Sequence, residues 1–195
     1  MNQNEEVLVV PRRELEKYIG FRTTDLIRDD TDEILDIILD EGLFLERRIA
    51  ETSPRYKQII PYVLIRHGAS YLLLQRTEKQ TEERLHHKLS LGIGGHINPD
   101  TPELIEGLHK ELDEEVEIEG DYDLSFVGIL NDDSTDVGRV HLGAVYVLDS
   151  HSGDVKVRET EKMTGRWATV EELAGAREQM ETWSQIALDH YIHER

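Results

Sequence analysis

"SLGIGGHINPDTPELIEGLHKELDEEVEIEG", Ser90 to Gly120, decides the fold, because a glycine loop leads into a helix that carries acid where apolar residues are expected. Winding Leu104 to Val116 at about 100° per residue gathers Leu104, Ile105, Leu108, Leu112 and Val116 into one apolar arc that must face a core. Glu106, Lys110, Asp113 and Glu117 fall on the opposite side, where charged residues meet solvent. Glu115 projects into the apolar arc between Leu104 and Leu108, Glu111 stands at its edge, and Glu114 comes one step further round. Like charges at such spacings repel by roughly a few tenths of a kcal/mol per pair, and partial burial raises that cost. A divalent cation relieves the conflict, since carboxylates are the hard oxygen ligands that Mg2+, Mn2+ and Ca2+ prefer. Glutamates that turn out to water, or meet Lys and Arg from another segment, relieve it as well. "GIGG" lets backbone approach a ligand closely and supplies carbonyl oxygens as further donors.

Outward from this stretch, strands are expected on both sides. "IIPYVLIRHGASYLLLQR" reads as a hairpin from Ile59 to Gln75, and "LSFVGILND" and "VHLGAVYVLDS" as strands parted by the acidic loop "DDSTDVGR". "TVEELAGA" and "REQMETWSQIALDHYIHER" close the chain as helices, the first with Thr169 and Glu172 at capping-box spacing. Near the start, "EEVLVVPRREL" predicts strand, turn and helix, and "TDEILDIILDEGLFLERR" predicts a helix capped by Thr31 and stopped at Gly42. The polar "AETSPRYKQ" marks a junction near Ser53 to Lys57, giving an N-terminal extension over 1–56, packed on the core, and a main domain over 57–195. Strand runs around one helix, with further helices at the end, describe an α+β or α/β/α layered domain.

The chain's 22 Lys and Arg against 41 Asp and Glu give a formal charge of -19, which repels nucleic-acid polymers. Zero cysteines exclude disulfides and thiolate metal sites, and no apolar run approaches the roughly 20 residues of a membrane span. No signal-peptide pattern opens the sequence, so a cytoplasmic protein without membrane partners is expected.

"KELDEEVEI", Lys110 to Ile118, resembles the tail of the Nudix box, the signature of the Nudix hydrolases. Glu111, Leu112, Glu114, Glu115 and Ile118 match it, with Lys110 where Arg is usual and Glu117 where Gly is usual. "YVLIRHGASYLLLQR" before it and "GRWATVEEL" after it resemble the family's flanking strand pair and Trp-containing segment, so the likeness runs from about Ile59 to the C-terminus. The resemblance implies an α/β/α sandwich around a mixed sheet. It also implies metal-assisted hydrolysis of a phosphoanhydride in a nucleotide derivative or similar small molecule. On that basis Glu111, Glu114 and Glu115 are the expected ligands of Mg2+ or Mn2+, joined by the Gly94 carbonyl, and Glu111 or Glu115 is the expected general base. Glu159 and Glu161 in "RETEKMTG" are outlying candidates for that role.

Arg76 and His96 are candidate substrate contacts, placed where a phosphate could pass. "LHHK" at Leu85 to Lys88 lacks the further spaced ligands of a second metal site, and His141 reads as a structural histidine on a strand. The alternative to hydrolysis is a module of the same fold that binds a phosphorylated ligand or a protein partner. A homodimer is compatible with either, and nothing in the sequence locates an interface.

Overall fold

The computed structural model describes residues 5–76, 88–158, 160 and 163–193, the side chain of Arg76 excepted. The first segment supplies β1 (Glu6–Pro11), α1 (Arg12–Ile19), β2 (Thr24–Ile27), α2 (Thr31–Glu41), β3 (Leu43–Glu46) and the single turn α3 (Arg47–Ala50). The hairpin follows as β4 (Tyr56–His67) and β5 (Ser70–Arg76), turning through Gly68 at φ +57°, a conformation that glycine adopts without penalty. Two short strands, β6 (Leu89–Ser90) and β7 (Gly92–Gly94), lead into α4 (Leu104–Glu115). Beyond it lie β8 (Val116–Ile118), β9 (Tyr122–Asp132), β10 (His141–Ser150), β11 (Val155–Val157), β12 (Met163–Thr169), α5 (Val170–Ala176) and α6 (Thr182–Ala187).

One mixed sheet in the order β12-β5-β4-β10-β9-β2 organises these elements. β4 runs parallel to β10 from Gln58 opposite His141 to Arg66 opposite Asp149, and the other pairings are antiparallel. A strand buried on both faces loses alternation, which is why β4 reads as the continuous apolar run "IIPYVLI". β1 and β7 both pair with the remaining edge of β4, and β3 pairs with β1.

Each face of the sheet carries its own core. On one face Leu108 and Leu112 of α4 join Leu15 and Ile19 of α1, Ile34 and Ile38 of α2, and Ile59, Val63 and Ile65 of β4. On the other, Leu173 of α5 and Ile186 of α6 pack with Tyr62, Leu64, Val145 and Val147. The result is the α/β/α, α+β arrangement that the resemblance implies. Among the described residues no helix is long and apolar enough to cross a membrane.

Residues before Lys57 take part in this sheet and in the α4-side core. A partly buried ion cluster ties them to the rest: Arg12 donates to both Asp133 carboxylate oxygens at 3.0 and 2.6 Å, and the fully buried Lys57 donates to Asp133 at 2.8 Å. Lys57 also donates to the Gly138 and His141 carbonyls, so a buried ammonium has all its donors engaged.

One local expectation needs correction. Thr31 is the first helical residue of α2 and not its N-cap; that position belongs to Asp30, at φ +57° in the left-handed region that Asp tolerates. β2, four residues reading "TDLI", is too short to carry a legible pattern, and pairing with β9 makes it a strand. The capping box at Thr169 and Glu172 forms with both of its hydrogen bonds, as its spacing predicts.

Candidate active site

α4 lays Gly107, Leu108 and Leu112 against the sheet, and Glu111 follows on the next turn of that line. Ile105, expected in the apolar arc, is 41% exposed. The reason is Gly107: a Cβ there would lie 3.0 Å from Ile97 Cγ1, so the missing side chain brings Ile97 in and centres the contact on the Gly107–Leu108 side. Lys110, expected on the solvated side, is half-buried and donates to Asn98 Oδ1 at 3.0 Å. The loop over residues 95–98 widens the covered face of the helix enough to include it.

That loop is itself fastened to β1. Asn98 Nδ2 donates to the Glu6 carbonyl at 2.9 Å, and the Leu8 N–H donates to the Ile97 carbonyl at 2.9 Å. From the opposite side of the sheet, Ser184 of α6 accepts from the Leu91 N–H at 2.8 Å and shares a hydrogen bond with Tyr62 Oη at 2.9 Å, holding the start of the glycine stretch. Between these anchors Gly95 meets Glu111. A Cβ on Gly95 would sit 2.1 Å from Glu111 Cδ, so only glycine leaves room for the carboxylate.

A cleft of about 320 Å³ opens here, lined by Glu5, Arg47, Gly95, His96, Asn98, Lys110, Glu111 and Glu114. Burial pushes the Glu111 carboxyl up to about 7, and the charge of Glu114 pushes in the same direction, while Lys110 and Arg47 oppose it through their charge. His96 moves the other way: burial, with the charges of Arg47 and His141, brings it down to about 3. It is therefore a neutral imidazole at physiological pH, its Nε2–H donating to Gln58 Oε1 at 3.0 Å and lying 3.4 Å from His141 Nε2. The His141 Nδ1–H donates to the Val137 carbonyl at 2.8 Å, which fixes its tautomer and gives this histidine structural partners.

The sequence candidates are thus distributed. Glu111, Glu114 and His96 line one cleft, Gly94 ends β7 beside it opposite Tyr62, and Glu115 is half-buried at the last turn of α4. Among the described residues, no three Asp, Glu or His side chains are arranged to hold a metal ion. Arg76 ends β5, but its side chain lies outside the described residues, as do Glu159, Glu161 and the pair His86 and His87. Glu5, Arg47 and Asn98 are site residues that sequence reasoning missed. Neither Glu5 nor Arg47 belongs to any pattern shared with α4, and no spacing could have linked them to it.

A second cleft, of about 490 Å³, lies on the face covered by the C-terminal helices, lined by Arg66, Asp123, Leu124, Ser125, Val147, Asp149 and Tyr191. Its principal charges, Arg66 and Asp149, neutralise each other. The smaller cleft differs in holding two neighbouring carboxylates of one helix, Glu111 and Glu114, the first of them half-buried.

A family model described as "NUDIX domain" matches residues 57–191. Protein YmaB of Bacillus subtilis (strain 168) is 35% identical over 205 residues, spanning 95% of this chain and 97% of that protein. Among solved structures, Tm1382, provisionally a Nudix hydrolase, matches at a TM-score of 0.82 and 30% identity over 98% of this chain and 100% of its own. That likeness therefore runs through the N-terminal strands. The MutT protein from Methanosarcina mazei Go1 matches at a TM-score of 0.52 and 27% identity, over 70% of this chain and 93% of its own.

Proposed function

The chain belongs to the Nudix hydrolase family, and we propose that it hydrolyses a phosphoanhydride in a nucleotide derivative or similar small molecule, with Mg2+ or Mn2+ held by Glu111, Glu114, Glu115 and the Gly94 carbonyl. The observation that carries this reading is the Glu111 carboxylate, pressed against Gly95 beside Glu114 and raised to about 7 in a cleft that opens to solvent. A fold that keeps a half-buried carboxylate next to a second one, and gives up a side chain at Gly95 to do so, suits a cationic ligand. The donor set fits such an ion by its chemistry: hard oxygens throughout, in a protein with no thiolate. Like charges on adjacent turns repel, so bringing all three glutamates together takes a counter-charge.

A divalent ion, when bound, neutralises phosphoryl oxygens and makes water a better nucleophile. The residues of this chain supply the rest. Glu111 would serve as a ligand of the ion or as the acceptor of the attacking water's proton, from its half-buried place against Gly95. Lys110, anchored on Asn98, lends positive charge at the rim. Neutral His96 is oriented by Gln58 and can offer a neutral ring to the substrate, not a cation.

The test is turnover of a panel of nucleoside di- and triphosphates, dinucleoside polyphosphates, nucleotide sugars and dinucleotide cofactors, with and without Mg2+ or Mn2+. We expect metal-dependent hydrolysis that falls by roughly 10²-fold or more in Glu111→Gln and Glu115→Gln, the loss typical of removing a positioned base or its support. Undiminished rates in Glu111→Gln, Glu114→Gln and Glu115→Gln alike would sink the assignment. Ligand binding without turnover by the wild type would favour the binding module instead.

A further inference from the structure

We infer that Arg47, supplied by the N-terminal segment and not by the helix of glutamates, binds a phosphate group of the substrate. The location of that phosphate rests on the hydrolase reading above; the role of Arg47 rests on its own geometry. Two cations line the cleft, Arg47 and Lys110, facing the carboxylates of Glu5, Glu111 and Glu114. In a chain of formal charge -19, side-chain cations in this cleft favour a diphosphate there, beside any metal ion the glutamates hold.

Of the two, Arg47 has the better geometry for a phosphate. Its Nε–H donates to Glu51 at 2.8 Å and its Nη1 donates to both Glu5 oxygens at 3.1 and 3.3 Å, which leaves Nη2 without a hydrogen-bond partner among the described residues. The backbone is anchored too, with the Arg47 N–H donating to the Glu5 carbonyl at 2.8 Å. A guanidinium gripped on two sides loses little freedom when it takes up a third acceptor, and its planar fork matches phosphate oxygens. The side chain is 24% exposed and lines the cleft. Glu5 and Glu51 are thereby positioning residues, and residues 5–56 contribute to the site as well as to the sheet.

The experiment measures binding of inorganic pyrophosphate in the presence of Mg2+ by titration calorimetry, beside Mg2+-dependent turnover of the panel. Wild type is compared with Arg47→Gln, Arg47→Lys and Arg139→Gln, the last removing the same charge from an exposed side chain that does not line the cleft. We expect Arg47→Gln to bind pyrophosphate about tenfold or more weakly, a change of about 1.4 kcal/mol, Arg47→Lys to fall between, and Arg139→Gln to stay within about twofold. In turnover, Arg47→Gln should raise KM more than it lowers kcat. Equal binding by Arg47→Gln and wild type overturns the inference, as does an equal loss in Arg139→Gln or an absence of pyrophosphate binding by the wild type. If Arg47→Gln fails to fold, Arg47→Lys decides: unchanged binding overturns the inference and weakened binding supports it. Pyrophosphate binding that depends on Arg47 in a protein without turnover would remove the hydrolase reading and leave this one standing. Metal-dependent turnover with KM unchanged in Arg47→Gln would do the reverse.

Discussion

The Glu111 carboxylate and any side chain at position 95 compete for the same space. Gly95→Ala places a methyl on top of Glu111 Cδ, and either the loop or the carboxylate must move. Overpacking of this kind costs about 1–3 kcal/mol. We expect a protein that still folds but gains less thermal stability from added Mg2+ than wild type does, which a melting series with and without the ion checks. The ionisation of Glu111 makes a second prediction at this scale. Its folded value of about 7 lies above the ordinary 4.5, so between those values the folded state binds the proton that the unfolded state has released. Metal-free stability should therefore fall as pH rises from about 4.5 to about 7, and stay lower above that. Glu111→Gln removes the ionising group and should flatten this slope, leaving the variant more stable than wild type at pH 8 in chelator by roughly 1–3 kcal/mol. Denaturant melts at pH 5 and pH 8 read the difference directly; a variant less stable than wild type at pH 8 would contradict it.

At the scale of elements, α4 and the glycine loop were legible because helical periodicity and the glutamate spacing agree over a dozen residues. The hairpin of β4 and β5 and the strands β9 and β10 were legible for the corresponding reason: apolar runs interrupted by turn residues. β2, β8 and β11 were not, because three or four residues carry no period; their pairing partners, β9 for the first and each other for the last two, turn them into strands. Capping is local and so was readable. Thr169 accepts from the Glu172 N–H at 3.3 Å while the Glu172 carboxylate accepts from the Thr169 N–H at 2.8 Å. Thr169→Ala should cost about 1 kcal/mol, seen as a lower midpoint in chemical denaturation with no change in turnover, since α5 lies on the face away from the cleft.

Across the whole molecule, Asp133 joins what the first 56 residues bring to what the rest of the chain brings. Burial alone would raise its carboxyl, but hydrogen bonds from Arg12 and Lys57, with the charges of both, hold it down at about 2. A depressed carboxylate stabilises the fold above its ordinary pKa and loses that contribution as pH falls through the folded value, so acid unfolding should draw on this cluster between about pH 4 and pH 2. Lys57, brought down to about 8 by burial against the pull of Asp133, stays charged at neutral pH. Asp133→Asn would leave that buried ammonium and Arg12 without their carboxylate, an arrangement that typically costs 3–5 kcal/mol. We expect a large loss of stability, and in partly destabilising denaturant an early loss of protection in α1 and β1, read by hydrogen exchange.

What the sequence determined by itself was whatever depends on neighbours along the chain. The helix of Leu104 to Glu115, its carboxylates, the glycines before it and the family they resemble were all present in one stretch of local pattern. The tertiary structure alone decided that Arg47 and Glu5 enter the same cleft as Glu111, that His96 is a neutral donor to Gln58, and that Asp133 closes the cluster with Arg12 and Lys57. Those contacts join residues far apart in the chain, and no periodicity records them. They follow from the pairing of β1 with β4 and from burial, which sets the charge each group can carry once water is excluded.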